Sequence, residues 1–241
     1  MIYSFHHFYY WLRGGVESGM AYRAKIFRRL GLDAKFVFAT TFPNDNIQHE
    51  MERLGFMDFI PKKARRKHSL ITAGRLAKDK RTDWVVMAAV EAKKNVPDLS
   101  LDIYGEGSGK AQIRELIDTL GCSDYVHLCG FQKLDESYQN YEAYVSASCG
   151  ETFGVTLLEA IGSGLAVIGF DLPYGIQVFV DEGENGYKIK QETVQELAKG
   201  IVRLFSEADL ETFQQKSYEK AKSYLTGEVE KRWKSTLDQA K

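Results

Sequence analysis

The chain has 241 residues with 32 basic against 33 acidic side chains, a balance that removes the electrostatic footprint of a nucleic-acid binder. A chain of this length buries roughly 70–75% of the surface its unfolded form exposes, so its core needs no disulfide or metal staple. Its three cysteines, Cys122, Cys129 and Cys149, are odd in number and lack CxxC spacing, so they read as reduced thiols of a cytosolic protein.

The N-terminal run MIYSFHHFYYWLRGG is aromatic, without a basic segment leading into an aliphatic one, so no signal peptide is expected. No apolar stretch approaches the roughly 20 residues of a membrane span. The expectation is a cytoplasmic chain, free or resting peripherally on a membrane. Residues 1–10 read as a β-prone run, followed by a glycine-rich loop through Gly14, Gly15 and Gly19. A helix is expected over 19–30, a strand over 34–40 and a helix over 44–54 opened by an Asn/Asp cap. This short βαβα lobe, residues 1–60, is followed by a basic linker over 61–67.

A fuller α/β series starts at His68. Strands are expected at 69–74, 99–105, 125–130, 143–148 and 165–170, with helices at 83–94, 109–120, 134–140 and 152–161. Short apolar strands separated by helices predict a parallel sheet covered on both faces, here over residues 68–190. Residues 191–241 read as charged helices with an apolar stripe through Leu197, Ile201, Leu204 and Phe205.

Open sheets of this kind place ligands beyond the carboxyl ends of their strands. There the sequence runs Ser148-Cys149-Gly150-Glu151-Thr152-Phe153-Gly154-Val155-Thr156-Leu157-Leu158-Glu159. A glycine turn exposes Glu151, and the small residues Gly154 and Thr156 open a helix whose first N–H groups suit a diphosphate. Glu159 is placed to accept from ribose hydroxyls and Glu151 from sugar hydroxyls, charge-assisted bonds worth roughly 1.5–3 kcal/mol each. On spacing alone, an acidic helix-start residue and a solvated helix face explain the two glutamates equally well. Arg75 and Lys80, delivered by the end of the first strand of the lobe, add a guanidinium and an ammonium able to clamp the same diphosphate.

Together these residues resemble a known family. The run Gly74-Arg75-Leu76-Ala77-Lys78-Asp79-Lys80, the E-x7-E pair and the stretch Ala160–Gly169 are similar to the donor domain of family 4 glycosyltransferases. These have the GT-B fold. The segments 169–175 and 181–187, with 14–24, narrow the likeness to two groups. They are the bacterial accessory-secretion O-GlcNAc transferases that glycosylate serine-rich adhesins, and the poly(glycerol-phosphate) α-glucosyltransferases. The resemblance covers nearly all of residues 67–190 and, more loosely, the first 55 or so.

It implies one full Rossmann-like donor lobe and a retaining transfer of GlcNAc or glucose from UDP-GlcNAc or UDP-glucose. The acceptor would be a protein Ser/Thr or a wall polymer. No cofactor and no metal are implied, and a partner glycosyltransferase subunit or self-association is. Arg75 and Lys80 would hold the diphosphate, Phe153, Gly154, Val155 and Thr156 would offer amides to it, Glu159 would hold the ribose, and Glu151 would act as the catalytic contact to the sugar.

Against the family pattern, the N-terminal α/β lobe is shortened, and the seam of an internal deletion is expected at 61–67. None of His6, His7 or His49 matches the family's histidine near the sugar. A truncated homologue that binds a UDP-sugar without transferring it is therefore the alternative expectation. The Gly14–Gly15 loop is open to two readings, an acceptor or phosphate contact or a tight turn.

The loop Tyr104–Lys110 fails the P-loop pattern because Ala111 follows Lys110, and fails GxGxxG because Lys110 stands at the last glycine. A Rossmann oxidoreductase is thereby disfavoured. The basic run 62–67 reads as a solvated linker rather than a nucleic-acid or lipid site.

Overall fold

The computed structural model describes residues 65–134, 137–151 and 153–224, together with 228, 231, 232, 234 and 235. The elements expected over 1–54, the Gly14–Gly15 loop and most of the basic linker lie outside the described residues. The chain divides into two compact units, Met1–Asp58 with Ser223–Lys241 and Phe59–Lys222. The sheet and its helices belong to the second.

Six parallel strands make one sheet in the order β3-β2-β1-β4-β5-β6. They are β1 (Ser69–Ala73), β2 (Ser100–Tyr104), β3 (Val126–Gly130), β4 (Ala143–Ser146), β5 (Ala166–Phe170) and β6 (Gly186–Ile189). Register runs Ser69 with Ser100 on one side of β1 and Leu70 with Ala143 on the other. After β3 the chain returns to the centre and lays β4 beside β1. The strand order therefore reverses between β1 and β4, the crevice where open α/β sheets take ligands.

Strand composition explains the layers. Leu70, Leu101 and Ile103 pack with Val85, Val86 and Ala89 of α1 (Thr82–Lys93) and with Ile113 and Ile117 of α2 (Lys110–Thr119). Burying each such aliphatic side chain is worth roughly 1.5–3 kcal/mol. The remaining helices are α3 (Val155–Gly162), α4 (Ile176–Phe179), α5 (Val194–Glu207) and α6 (Leu210–Lys222).

The apolar stripe expected at 197–205 buries Leu197, Ile201 and Leu204 in the same core, with Phe205 packed against it. Thr193 caps α5, its hydroxyl accepting from the Glu196 N–H at 3.2 Å. Helices α5 and α6 thus pack on α1 and α3 and complete the cover of the sheet. The α/β parallel architecture expected for the donor lobe is the one observed.

Three local expectations shift. The sheet has a sixth strand, β6, because Gly186-Tyr187-Lys188-Ile189 extends the β5 edge; its mixed composition lacks the continuous apolar run of a central parallel strand. The helix expected over 134–140 is a 3-10 turn at Ser137–Asn140, with 135 and 136 outside the described residues. Helix α3 begins at Val155, not at 152, because Gly154 is left-handed at φ 84°, a conformation that ends any right-handed helix running through it.

Arg65 and Arg66, expected on a solvated stretch, are anchored instead. Arg65 donates to the carbonyls of Tyr141 at 2.5 Å and Ser163 at 2.7 Å, and Arg66 pairs with Asp102 at 2.7 Å. All three cysteines are free. Among the described residues no helix is long and apolar enough to cross a membrane.

Candidate functional site

The candidate site is built by two loops that leave neighbouring strands. The first follows β1, passes Arg75 and turns through the 3-10 helix Lys78–Lys80 into α1. The second follows β4 and carries Ser148, Cys149 and Glu151 to the start of α3. They are stitched by the Cys149 N–H, which donates to the Asp79 carbonyl at 2.9 Å. Lys80 Nζ then reaches across to Glu151 Oε1 at 2.6 Å and Ser148 Oγ at 3.4 Å. Both members of the pair are mostly buried, with side chains 24% and 20% exposed.

Glu151 precedes α3 by four positions, and no acidic residue occupies the first turn of that helix. Its partner is the Lys80 ammonium, so it is not the helix-start carboxylate that spacing alone also allowed. The backbone of Gly175, in the loop after β5, lies against it; a Cβ built on Gly175 would stand 3.0 Å from both Cβ and Cγ of Glu151. Arg75 sits on the same loop as Lys80, but its guanidinium pairs with Asp79 at 3.1 Å rather than with either glutamate.

The loop after β2 braces the first of these two. The N–H groups of Gly74 and Leu76 donate to the carbonyls of Tyr104 and Glu106, and the N–H of Gly109 returns to Leu76, each at 2.9 Å. A Cβ on Gly107 would lie 2.3 Å from the Leu76 carbonyl oxygen. The glycine-rich run 104–110 is therefore a backbone brace for the Arg75 loop, and Lys110 is occupied with Glu106 at 2.6 Å.

Helix α3 starts without a side-chain cap. By helix geometry the first-turn N–H groups, those of Val155 and Thr156 included, have no intrahelical acceptor. Its macrodipole adds positive potential at the same end. Phe153 packs edge-on against Phe179 at 5.4 Å between ring centroids. Glu159, one face further along α3, is exposed and accepts a hydrogen bond from the Tyr138 hydroxyl at 3.1 Å. Burial, reinforced by the Glu159 carboxylate, holds the Tyr138 phenol well above its usual range, so it stays a donor and fixes the carboxylate.

Two residues escaped sequence reasoning. Tyr138 orients Glu159, and Tyr144 on β4 lies beneath the start of α3, its hydroxyl 2.8 Å from the Ala73 carbonyl and 3.0 Å from Thr156 Oγ1. The signal was present in the period-three tyrosines at 138, 141 and 144, which a helix-or-strand reading passes over. Among the described residues no group of three or more His, Cys, Asp or Glu side chains is placed to hold a metal ion.

The geometry thus sets a cation, a carboxylate and an uncapped helix start around one crevice. The family model for glycosyl transferases group 1 matches residues 56–224, which span that crevice and the whole sheet. The chain belongs to this glycosyltransferase family.

Among curated relatives of this glycosyltransferase chain is the UDP-N-acetylglucosamine–peptide N-acetylglucosaminyltransferase GtfA subunit of Limosilactobacillus reuteri subsp. suis. It is 44% identical over 204 residues, covering 82% of this chain and 38% of the relative. The poly(glycerol-phosphate) alpha-glucosyltransferase of Bacillus subtilis is 29% identical over 175 residues, 72% of this chain and 26% of its own length. The crystal structure of the pneumococcal O-GlcNAc transferase GtfA in complex with UDP and GlcNAc superposes with a TM-score of 0.73 at 37% identity. That match covers 90% of this chain and 43% of the pneumococcal one. The family 4, GT-B-type assignment read from the sequence holds, and the chain spans well under half the length of these relatives.

Proposed function

We propose that this chain carries the nucleotide-sugar site of a retaining glycosyltransferase that moves GlcNAc or glucose from a UDP-sugar to a protein Ser/Thr or a cell-wall polymer. The observation that carries the proposal is the Lys80–Glu151 pair at the crevice between β1 and β4, beside the uncapped start of α3. In this reading Lys80 and Arg75 hold the diphosphate, and the amides of Phe153, Gly154, Val155 and Thr156 face its oxygens. Glu159, steadied by Tyr138, takes the ribose hydroxyls, and Glu151 the hydroxyls of the sugar.

In the transfer, the bond from the anomeric carbon to the β-phosphate oxygen breaks, and a bond from the acceptor oxygen forms on the same face. The acceptor's proton leaves with the departing diphosphate. Charge grows on that diphosphate, and cations and helix N–H groups already aimed at it stabilise the transition state without reorganising. The relative described as a peptide N-acetylglucosaminyltransferase subunit supports a peptide acceptor and a partner chain or self-association; the poly(glycerol-phosphate) relative supports a wall polymer. The Gly14–Gly15 loop is proposed as an acceptor or phosphate contact.

A second reading is a chain that binds the donor without completing transfer. Incubation with radiolabelled UDP-GlcNAc or UDP-glucose, alone and with a Ser/Thr-rich peptide or poly(glycerol phosphate), separates the two. Label in an α-linked product supports the transferase. Donor binding with neither hydrolysis nor transfer supports the binding chain, and absence of donor binding overturns both.

A further inference from the structure

We propose that Tyr144 and Thr156 form a two-hydroxyl relay that turns the Thr156 proton toward the diphosphate of a nucleotide donor. This rests on the donor reading of the α3 start given above. Tyr144 is 3% exposed, and its hydroxyl stands 2.8 Å from the Ala73 carbonyl oxygen and 3.0 Å from Thr156 Oγ1. The Ala73 N–H approaches the same phenolic oxygen at 3.4 Å. One phenolic proton therefore faces two acceptors, and a hydroxyl has one donor to give.

When Tyr144 donates to Ala73, the phenolic oxygen is free to accept the Thr156 proton at 3.0 Å, and Thr156 then presents lone pairs outward, which repel an anion. When Tyr144 donates to Thr156 Oγ1, the Thr156 proton is released toward a phosphate oxygen. An arriving diphosphate selects the second arrangement by rotating two hydroxyls, with no backbone movement and no change in charge. Burial pushes the Tyr144 phenol up to about 12, so it serves as a donor throughout the physiological range. Ala73 precedes the Arg75 loop by two residues, so the relay also ties both walls of the crevice to one buried oxygen.

The experiment is a double-mutant cycle on the full chain, with UDP and uridine as calorimetric probes and thermal unfolding alongside. Thr156→Val weakens UDP about tenfold, as for loss of a hydrogen bond to a charged group, Tyr144→Phe weakens it about fivefold, as for loss of a neutral one, and both leave uridine unchanged. The double variant binds UDP no more weakly than Thr156→Val alone. Tyr141→Phe removes a buried hydroxyl bonded to Asp102 at 2.5 Å and Tyr104 at 2.8 Å; it lowers Tm with UDP affinity intact. Thr156→Ser, which keeps the hydroxyl, binds UDP like the wild type.

Additive losses, equal weakening of uridine, or wild-type UDP affinity in Tyr144→Phe would overturn the relay alone. Equal UDP binding by Thr156→Ser and Thr156→Val overturns it even if Tyr144→Phe fails to fold. A wild-type chain that ignores UDP overturns the donor reading and the relay with it.

Discussion

Replacing Glu151 by Gln separates the two roles that the proposed donor site gives to one carboxylate. Lys80 Nζ and Glu151 Oε1 are 2.6 Å apart with both side chains largely buried. Two unit charges 4 Å apart attract by about 4 kcal/mol at the effective dielectric of a protein surface. Desolvation and screening leave a net of about 1 kcal/mol for a pair that keeps some solvent access. In the proposed donor site a diphosphate competes with Glu151 for that ammonium.

Glutamine keeps the size and one acceptor of the side chain but removes the charge, so Lys80 stays placed and is released for the phosphate. UDP should then bind about fivefold more tightly, the equivalent of about 1 kcal/mol. UDP-GlcNAc should bind less tightly, by about twofold or more, because its sugar hydroxyls lose a charged acceptor worth about 1.5–3 kcal/mol, which outweighs the gain at the phosphate. Calorimetric titration of both ligands at one fixed ionic strength reads the two affinities, and their ratio should fall about tenfold or more. A loss of UDP affinity in Glu151→Gln would refute the idea that Lys80 serves the phosphate and Glu151 the sugar.

Glu159→Gln should weaken UDP itself by about tenfold and leave the ratio of UDP-sugar to UDP affinity unchanged, since the ribose is common to both; equal behaviour of the two glutamine variants would contradict the division of labour. Gly154→Ala should cost about 1–2 kcal/mol for a left-handed alanine. Its new Cβ would also stand 3.0 Å from Leu157 Cδ1 and 3.3 Å from Gly175 Cα, and a Tm equal to that of the wild type would contradict the geometry.

Asp102→Asn tests the polar cluster behind the sheet. Burial would raise the Asp102 carboxyl, but hydrogen bonds from Tyr141, His127 and Arg66 outweigh it and hold the group below the ordinary carboxylate range. A carboxyl lowered on folding lends stability that is fully present above its unfolded value, about 3.9, and is lost as pH falls through the folded value. Denaturant unfolding should show the wild type losing more stability than Asp102→Asn below about pH 4, and parallel curves would count against the cluster.

Much of this was legible in the sequence because short apolar strands and amphipathic helices announce a parallel sheet by period alone. Five of the six strands follow from that rule; β6 does not, because it is an edge strand recognisable only by its pairing with β5. Glu151 and Lys80 could be singled out by residue type and position on the loops after two strands, and Glu159 by its place on the helix that follows. That Lys80 pairs with Glu151 while Arg75 turns to Asp79 could not, since side-chain choice among nearby charges depends on where two loops meet in space. Gly154 was read as a small residue inside the helix opening. Its left-handed backbone sets α3 back to Val155 and leaves Glu151 and Phe153 on a loop. Tyr138 and Tyr144 act from a 3-10 turn and from a buried strand face, places where tyrosine usually signals packing.

Calorimetric titration of UDP against NADH distinguishes the two ligand classes that an open α/β crevice commonly takes. A donor site at the Lys80–Glu151 crevice should give a single-site heat with UDP, abolished when Lys80 is changed to Met, and no heat with NADH. Binding of NADH without any response to UDP would contradict it.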